Sequence, residues 1–348
     1  MSTPSIWSRR GILATVIAAT MALTACTSSV QPQTNNSGAP SEDADSNDVT
    51  VGLTYIPNVQ FAPTYLAEDN QFFQAEGVNA TIRHHGADEG LFTQLLAGKE
   101  NLVVATGDEM IQARSQGMDL VSVGQYYASY PVVVIVKDES DIKTIADLKG
   151  KKVGLPGEFG SNWYGLLAAL KDAQMETSDI EVMAIGYTQM AALQTDQVDA
   201  IVGFVNNDAV QLEQAGIKAR QIPLTTANKT PLVGATIVTT GEYARTHPQQ
   251  VRAALAAIQK GMQAFVDDTD AAVKATEKRD PSLSTDQARQ AAKATADATA
   301  KLIAPNGTAD VTQDLQLWEE MDKFLTTVPG LMGAPVKLDE TVTNEYLK

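Results

Sequence analysis

From Val49 onward the chain alternates short apolar runs with longer amphipathic stretches, and this alternation restricts the folds that it can adopt. Runs such as Leu102–Ala105 and Lys152–Leu155 are typical of buried strands, whereas Asn207–Gln214 repeats apolar residues at helical spacing. Strands that alternate with helices form βαβ units, whose sheets are mostly parallel. The sequence therefore predicts an α/β fold.

The alternation runs twice along the chain, which predicts two lobes. About 300 residues follow the N-terminal segment, and a chain of that length divides more readily into two cores than it fills one. We expect lobe 1 to contain residues 49–136 and 232–348, and lobe 2 to contain residues 137–231. A long Ala-rich helix, predicted over Pro248–Lys278, and the helices after it are interpreted as structural, because such helices usually pack on the outer face of a sheet.

Residues 1–25 have the features of a lipoprotein signal peptide. The basic segment Ser8–Arg10 precedes the apolar run Gly11–Ala22, which is shorter than the about 20 apolar residues that a membrane span needs. Leu23–Cys26 resembles a bacterial lipobox, a motif that directs cleavage before the cysteine and lipidation of its thiol. We therefore expect Cys26 to anchor the protein at the extracellular face of the cytoplasmic membrane. An ordinary signal peptide is the alternative, and Sec and twin-arginine export both stay open.

Residues 26–48 are predicted to form a disordered tether. This segment has few large apolar side chains and is rich in Ser, Asn, Gln, Pro and Asp, so it cannot bury enough apolar surface to fold. A flexible chain of this length has an r.m.s. reach of about 25 Å. We expect the folded body to lie close to the membrane and to turn freely on it.

Charge and residue types exclude several classes of function. The formal net charge of −16 argues against nucleic acid or anionic lipid as a partner. Cys26 is the single cysteine, so disulfides and thiol nucleophiles are excluded from the folded body. The three histidines, His84, His85 and His247, have no spacing typical of metal ligands, and we expect neither a metal nor a cofactor.

The segment Lys151–Leu170 indicates one half of a ligand site. An apolar strand leads into a turn that contains Gly157 and Gly160, and an amphipathic helix follows. Ser161 or Asn162 occupies the position of an N-cap, where a short polar side chain accepts a hydrogen bond from the first helical turn. The free N–H groups and the positive end of the helix dipole at such a turn can bind a ligand.

Ligands of α/β sheets bind beyond the carboxyl ends of the strands. Five predicted turns lie there without a Lys or Arg: Tyr55–Phe61, Thr106–Glu109, Gly157–Asn162, Gly186–Gln189 and Phe204–Asn207. Aromatic side chains in and near these turns can stack on a planar ring, and their amides and carboxylates can bind its polar edge. An anion would lack a compensating cation, so the sequence favours a flat, uncharged nitrogen heterocycle over a sulfonate or nitrate. The candidate ligand-binding residues are Tyr55, Asn58, Gln60, Phe61, Asp108, Glu109, Tyr126, Tyr127, Glu158, Phe159, Gly160, Ser161, Trp163, Tyr187, Gln189, Phe204, Asn206 and Asn207.

Many of these candidates have a structural alternative, which the sequence leaves open. Phe61, Tyr127 and Phe204 fit core positions as well as ligand contacts, because aromatic side chains usually lie in the core. Asn206 and Asn207 can cap the helix that follows them. A secreted hydrolase that uses a histidine is the competing class of function, but no G-x-S-x-G motif and no telling carboxylate pair supports it.

The chain from Val49 to at least Val238 resembles the substrate-binding proteins of ABC importers. It is most similar to the group that contains the sulfonate and taurine binders and the NMT1/THI5-like thiamine-pyrimidine proteins. The resemblance rests on four segments: YIPNVQFAPTYLAEDNQFF, LLAGKENLVVATGDEMIQARSQG, IKTIADLKGKKVGLPG and VDAIVGFVNND.

The resemblance implies a type II periplasmic-binding-protein fold, with crossover strands near Pro131–Lys137 and Leu232–Thr239 that act as a hinge. It also implies a monomer that delivers a small molecule to an ABC permease without catalysis. The YIPNVQFAP and GFVNND segments are similar to riboflavin-binding members, so riboflavin is slightly favoured over thiamine-precursor pyrimidines such as hydroxymethylpyrimidine or formylaminopyrimidine. Alkanesulfonates, taurine and nitrate rank below both. The pyrimidine synthase of this family depends on a cysteine-rich motif that the body lacks, so an enzyme is the least favoured interpretation.

Overall fold

The computed structural model describes residues 47–54, 56–86, 89–225 and 231–347. The predicted signal peptide, Cys26 and the tether up to residue 46 lie outside these ranges, whereas Asp48, the last residue of the predicted tether, begins the first strand. The strands are β1 (Asp48–Leu53), β2 (Asn79–His84), β3 (Leu102–Thr106), β4 (Val121–Gln125), β5 (Val132–Lys137), β6 (Lys152–Leu155), β7 (Glu181–Ala184), β8 (Ala200–Phe204), β9 (Ala219–Ile222) and β10 (Ala235–Thr239). The helices are α1 (Ala62–Asp69), α2 (Phe72–Ala75), α3 (Thr93–Leu96), α4 (Gly107–Ser115), α5 (Gly160–Asp172), α6 (Gln189–Gln194), α7 (Asp208–Gln214), α8 (Gly241–Thr246), α9 (Pro248–Asp267), α10 (Thr269–Glu277), α11 (Asp286–Ile303) and α12 (Leu315–Thr326).

The strands form two mixed sheets, and the predicted bilobal α/β class is confirmed. Sheet 1, in lobe 1, has the order β2-β1-β3-β10-β4. Its β1 pairs in parallel with β2 and β3, whereas β10 runs antiparallel to β3 and β4. Four strands of sheet 1 therefore precede lobe 2 in the sequence. The fifth, β10, follows lobe 2 and lies between β3 and β4.

Sheet 2, in lobe 2, repeats the arrangement with the order β7-β6-β8-β5-β9. Its β6 pairs in parallel with β7 and β8, and β5 runs antiparallel to β8 and β9. The predicted lobe boundary at residue 136 would leave most of β5 in lobe 1. Hydrogen bonds from β5 to β8 and β9 instead put the whole strand in sheet 2, so the first crossover between the sheets is the segment 126–131.

Lobe 1 holds the larger apolar core, in which the C-terminal helices pack on one face of the sheet. Here α9 lies directly on α1. A methyl group at Gly261 would come within 2.1 Å of the Pro63 carbonyl oxygen, so the two helices are in backbone contact at this point. This packing agrees with the structural interpretation of the Ala-rich helices.

The second core of lobe 1 continues into lobe 2. It contains Met110 and Ile111 of α4 together with Tyr164 and Ala168 of α5, so two helices from different lobes share one apolar cluster. Trp318 of α12 is buried in the same cluster. The first turns of α4 and α5 are therefore fixed relative to each other by apolar packing as well as by polar contacts.

None of the helices in the described ranges is both long and apolar enough to cross a lipid bilayer.

Candidate functional site

Two helices begin where the lobes meet. Helix α4 starts at Gly107, directly after β3, and α5 starts at Gly160, after the turn that follows β6. Gly107 is packed so closely that an added methyl group would lie 2.7 Å from Val233 and 3.0 Å from Trp318. Gly160 has a φ of +66°, a left-handed conformation that glycine adopts without strain. Both glycines hold the helix ends in place at the interface between the lobes.

Asp108 joins the two helix ends. Its Oδ1 accepts a hydrogen bond from Ser161 Oγ of α5 at 3.0 Å, and its Oδ2 accepts one from the Tyr130 hydroxyl at 2.7 Å. The Tyr130 hydroxyl also lies 2.9 Å from the Ser161 carbonyl oxygen. Asp108 is fully buried, and this burial raises its pKa. The carboxylate thus links lobe 1, the first crossover and lobe 2, and its oxygens already have partners within the protein.

Glu109, the next residue, is half-buried beside this junction. The Thr106 hydroxyl donates a hydrogen bond to its Oε2, and its Oε1 lies 3.4 Å from the place where a Gly160 methyl group would be. Burial, together with the neighbouring Asp108 carboxylate, raises the pKa of Glu109 to about 7. Glu109 therefore titrates near neutral pH, and its carboxyl group can accept or donate a hydrogen bond.

A cleft of about 330 Å³ opens next to Glu109, between α3 and α4 of lobe 1 and the first turn of α5 in lobe 2. Leu91, Phe92 and Phe159 give it apolar walls, and Glu109 and Glu158 are the charged side chains among its described lining residues. This volume falls within the range of about 300–1,000 Å³ that small-molecule sites usually have. Its lining suits an apolar ring with hydrogen-bond donors and does not suit an anion.

Two further hydrogen-bonding groups lie in the wall of the cleft. The Tyr164 hydroxyl of α5 donates to Gln112 Oε1 of α4 at 2.9 Å, which makes a second polar contact between the lobes. Neither Gln112 nor Tyr130 is among the site residues predicted from the sequence. Gln112 follows Glu109 by almost one helical turn, so its place on the same face of α4 could have been predicted once Glu109 was chosen.

The predicted site residues separate into three groups by exposure. Glu158, Phe159 and Tyr187 are exposed, with 55% of Phe159 and 84% of Tyr187 accessible. Phe159 follows β6 and Tyr187 follows β7, so both come after strand ends of sheet 2. Asn58, Gln60, Glu109, Gly160, Trp163, Phe204 and Asn207 are half-buried. Phe61, Asp108, Tyr126, Tyr127, Ser161, Gln189 and Asn206 are buried, and Tyr55 lies outside the described residues.

Several buried candidates have partners within the protein. Phe61 packs edge-to-face against His84, with ring centroids 5.8 Å apart. Asn206 donates through Nδ2 to Thr299 Oγ1 at 2.9 Å, which ties the end of β8 to α11. The contact of Phe61 agrees with its core alternative, whereas Asn206 bonds α11 and is not the N-cap residue of α7. Asn207 occupies the N-cap position of α7 and accepts a hydrogen bond from Gln211 at 2.7 Å, whereas its side chain makes no cap bond to the backbone.

A second cavity, of about 480 Å³, lies elsewhere in lobe 2. Its lining includes Ile135 and Asp138, at the end of β5. Because β5 runs antiparallel to β8, this is the end of sheet 2 that faces away from the α5 N-terminus. The cavity therefore stays outside the candidate site.

Comparisons with known proteins are consistent with this geometry. A family model described as "NMT1/THI5 like" matches residues 58–272. The riboflavin-binding protein RibY of Chloroflexus aurantiacus is 28% identical over 318 residues, which cover 89% of this chain and 88% of RibY. A formylaminopyrimidine-binding protein of Halalkalibacterium halodurans is 28% identical over 185 residues, 53% of this chain and 55% of the relative.

Several similar proteins are described as enzymes, among them a 4-amino-5-hydroxymethyl-2-methylpyrimidine phosphate synthase of Legionella pneumophila. It is 28% identical over 166 residues, which cover 47% of this chain and 52% of the relative. Among solved structures, the periplasmic aliphatic sulphonate binding protein SsuA of Escherichia coli superposes with a TM-score of 0.70 at 19% identity, over 85% of this chain and 92% of SsuA. At that identity the superposition shows a shared fold and carries no information about the ligand.

Proposed function

Because its residues 58–272 match the family model, the chain belongs to the NMT1/THI5-like family, and on this premise we propose that it is the solute-binding protein of an ABC importer. The solute is a flat, uncharged nitrogen heterocycle, and riboflavin is the ligand that the observations favour. The protein binds it between the lobes, without catalysis, and delivers it to the permease.

The character of the cleft carries this proposal. Its charged side chains are the carboxylates Glu109 and Glu158, and its walls include Phe92 and Phe159. Burying an anion beside carboxylates without a cation is costly, so sulfonates and nitrate are disfavoured although the fold is shared with a sulfonate binder. A neutral ring meets no such penalty, and aromatic contacts with its face are worth about 0.5–1.5 kcal/mol each beyond area burial.

Riboflavin is favoured over a pyrimidine by the extent of similarity. RibY matches 89% of this chain, whereas the formylaminopyrimidine-binding protein matches 53% at the same identity. The rings of Phe92, Phe159 and Tyr164 line the cleft and supply more ring surface than a single pyrimidine requires. We propose that these rings hold the tricyclic ligand and that Glu109 and Gln112 bind its polar edge. The thiamine-precursor pyrimidines are the second candidate.

The non-enzymatic role is supported by the residue types of the chain. The body contains no cysteine, which the cysteine-dependent pyrimidine synthase chemistry would need. The names of two similar proteins, RibY and the formylaminopyrimidine-binding protein, describe binding proteins. We further propose that Cys26 carries a lipid anchor and that the protein acts as a monomer at the extracellular face of the cytoplasmic membrane. The lipobox-like Leu23–Cys26 supports the anchor.

Fluorescence titration of the purified full chain with riboflavin tests the proposal. We expect strong quenching of flavin emission and unchanged riboflavin in the protein after incubation, measured by mass spectrometry. Phe159→Ala should weaken binding by about 5- to 10-fold through the loss of one ring contact. Leu315→Ala, at an apolar side chain that is 49% exposed on α12, is the control and should bind like the wild type. Tight binding of a sulfonate with no binding of riboflavin or pyrimidines would contradict the proposal.

A further inference from the structure

We propose that Glu109 and Glu158 make the cleft selective for the free, uncharged ring compound and reject its phosphate monoester. This inference rests on the proposed function and adds the charge state of the ligand to it. The two residues come from different lobes: Glu109 lies in the first turn of α4, and Glu158 lies in the turn before α5. A ligand in the cleft therefore has a carboxylate on each side.

Among the described residues that line the cleft, no cation offsets these two charges, because this lining contains neither Lys nor Arg. Two arginines lie in adjoining elements, and both are bound to acidic side chains. Arg83 bonds Glu89 at 2.5 Å and Glu100 at 2.6 Å, and Arg114 bonds Asp119 at 2.8 Å. A phosphate dianion in the cleft would meet two carboxylates and no available counter-charge.

The helix dipoles do not supply the missing positive charge either. A helix N-terminus can bind phosphate through its free N–H groups. At the meeting point of α4 and α5, however, the Asp108 carboxylate is already seated and bonded to Ser161 at 3.0 Å. Its negative charge already compensates the positive N-terminal ends of both helix dipoles. An incoming phosphate would be repelled by Asp108 as well as by Glu109.

Repulsion of this kind selects between ligands that share the same ring. Specificity is a difference between two affinities, and unfavourable contacts with the wrong ligand produce it as well as favourable contacts with the right one. Glu109 is half-buried and so less screened by salt than the exposed Glu158. Above pH 7, where the Glu109 carboxyl is ionised, we therefore assign the larger share of the discrimination to Glu109.

Selection for the uncharged ring compound also indicates which class of reaction supplies the ligand. If only the free alcohol binds, any phosphorylated form that reaches the cell surface has to lose its phosphate first. The class of reaction that supplies this ligand from such a source is hydrolysis of a phosphate monoester, in which water adds to phosphorus and the alcohol leaves. The cleft between the lobes would then bind the alcohol, and inorganic phosphate would remain in solution.

Fluorescence titrations of the full chain with riboflavin and with riboflavin 5′-phosphate, at about pH 8.5 where the Glu109 carboxyl is ionised, test the inference. We expect the phosphate to bind about 100-fold more weakly than riboflavin, as repulsion from two nearby carboxylates predicts. In the double variant Glu109→Gln with Glu158→Gln, that ratio should fall to about 10-fold or less, because both like charges are removed. Glu181→Gln is the control and should leave the ratio unchanged. Glu181 is exposed at the start of β7, at the end of sheet 2 that faces away from the α5 N-terminus.

The outcomes separate this inference from the proposed function. Equal affinity of the wild type for the two flavins, or an unchanged ratio in the double variant, would overturn the inference and leave riboflavin binding intact. If neither flavin binds, the same ratio measured with hydroxymethylpyrimidine and its phosphate decides the inference, because charge selection does not depend on the ring. A chain that binds none of the four compounds would overturn the proposed function and the inference together. Thermal melts of the two variants check that both are folded.

Discussion

Asp108 and Ser161 lie 53 residues apart in sequence, and their side chains are joined by a hydrogen bond of 3.0 Å that links the two lobes. Tyr130, in the first crossover, bonds the same carboxylate at 2.7 Å. One buried group therefore contacts three parts of the chain that a hinge motion would separate. The hydrogen bonds of Asp108 therefore hold the two lobes in the relative orientation that forms the cleft.

Asp108→Ala is expected to destabilise the protein by about 2–4 kcal/mol, because it removes the acceptor of the buried Ser161 hydroxyl and one of the two acceptors of the Tyr130 hydroxyl. Urea unfolding measures the change in the free energy of unfolding. Asp108→Asn keeps one acceptor oxygen and should cost less. Asp119→Asn is the control, since Asp119 is a half-exposed partner of Arg114 and its loss should cost about 0–1 kcal/mol. Equal losses for Asp108→Ala and Asp119→Asn would contradict the role assigned to Asp108.

Glu109→Gln is expected to alter how stability depends on pH. Folding raises the pKa of Glu109 from 4.5 to about 7, so the folded state binds more protons than the unfolded state between these values. Stability contributed by this group therefore decreases as pH rises from about 4.5 to about 7, and the glutamine variant lacks that decrease. The variant should gain about 1–3 kcal/mol relative to the wild type across this range, at about 1.4 kcal/mol per pKa unit and allowing for partial exposure.

Denaturant unfolding at several pH values measures this gain. The groups that face Glu109 are Asp108, Tyr130 and Tyr164, and its charge contributes to the raised pKa of both tyrosines. Those hydroxyls stay protonated throughout the range, so the difference between the two proteins reports on the carboxylates. A difference that does not change with pH would contradict the prediction.

Gly160→Ala is expected to weaken ligand binding as well as stability. The residue has a φ of +66°, and an added methyl group would lie 3.4 Å from Glu109 Oε1, in the wall of the cleft. Gly150→Ala is the matched control, because Gly150 has a φ of +70° with no atom within 4 Å of the added methyl group. Both variants should lose about 1–2 kcal/mol of stability through the left-handed conformation. Only Gly160→Ala should raise the riboflavin Kd, measured by fluorescence titration; a matching rise for Gly150→Ala would refute the assignment.

Gly261→Ala tests whether packing outweighs helix propensity in α9. Alanine is favoured over glycine in a helix interior by about 1 kcal/mol, so propensity alone predicts stabilisation. A methyl group here would lie 2.1 Å from the Pro63 carbonyl oxygen of α1, so we expect a loss of about 2–4 kcal/mol instead. Gln249→Ala, at an exposed position of the same helix, should change stability by less than about 0.5 kcal/mol. Thermal unfolding gives the sign directly, and a more stable Gly261→Ala would show that α1 and α9 separate easily.

Cys26→Ser is expected to move the protein from the membrane fraction to the soluble extracytoplasmic fraction. The prediction rests on the single cysteine and the lipobox-like Leu23–Cys26. Cell fractionation followed by immunoblotting measures the distribution, and Ser28→Ala is the control at a neighbouring position. Membrane retention of Cys26→Ser would contradict lipid anchoring.

Local patterns predicted many of the strands and helices in order, but they missed β9. Apolar runs gave β3 and β6 to within a few residues, the glycine turn gave α5, and helical spacing gave α7. The predicted helix over Pro248–Lys278 is divided into α9 and α10, because the Asp268 side chain accepts from the Ala271 amide and caps a new helix at 3.0 Å. The Asp268 cap could have been predicted from the sequence, but the Ala-rich residues on both sides of it indicated one continuous helix.

The contacts of the site depend on tertiary packing that no local pattern contains. Tyr130 lies in a connecting segment, and only the crossover brings its hydroxyl to Asp108. Phe61 and Asn206 stand at strand ends, as ligand contacts often do, but the packing of His84 and α11 buries both. Residue type and proximity to a strand end were enough to select Glu109, Glu158 and Phe159, which do line one cleft.

The position of β10 between β3 and β4 has a consequence for synthesis. A ribosome completes every strand of sheet 2 before it reaches residue 235, so lobe 2 can close while sheet 1 still lacks an inner strand. Until β10 emerges, β3 and β4 have no partner on their facing edges, and such unpaired edges invite aggregation. The strands that are made first therefore belong to the sheet that finishes folding last.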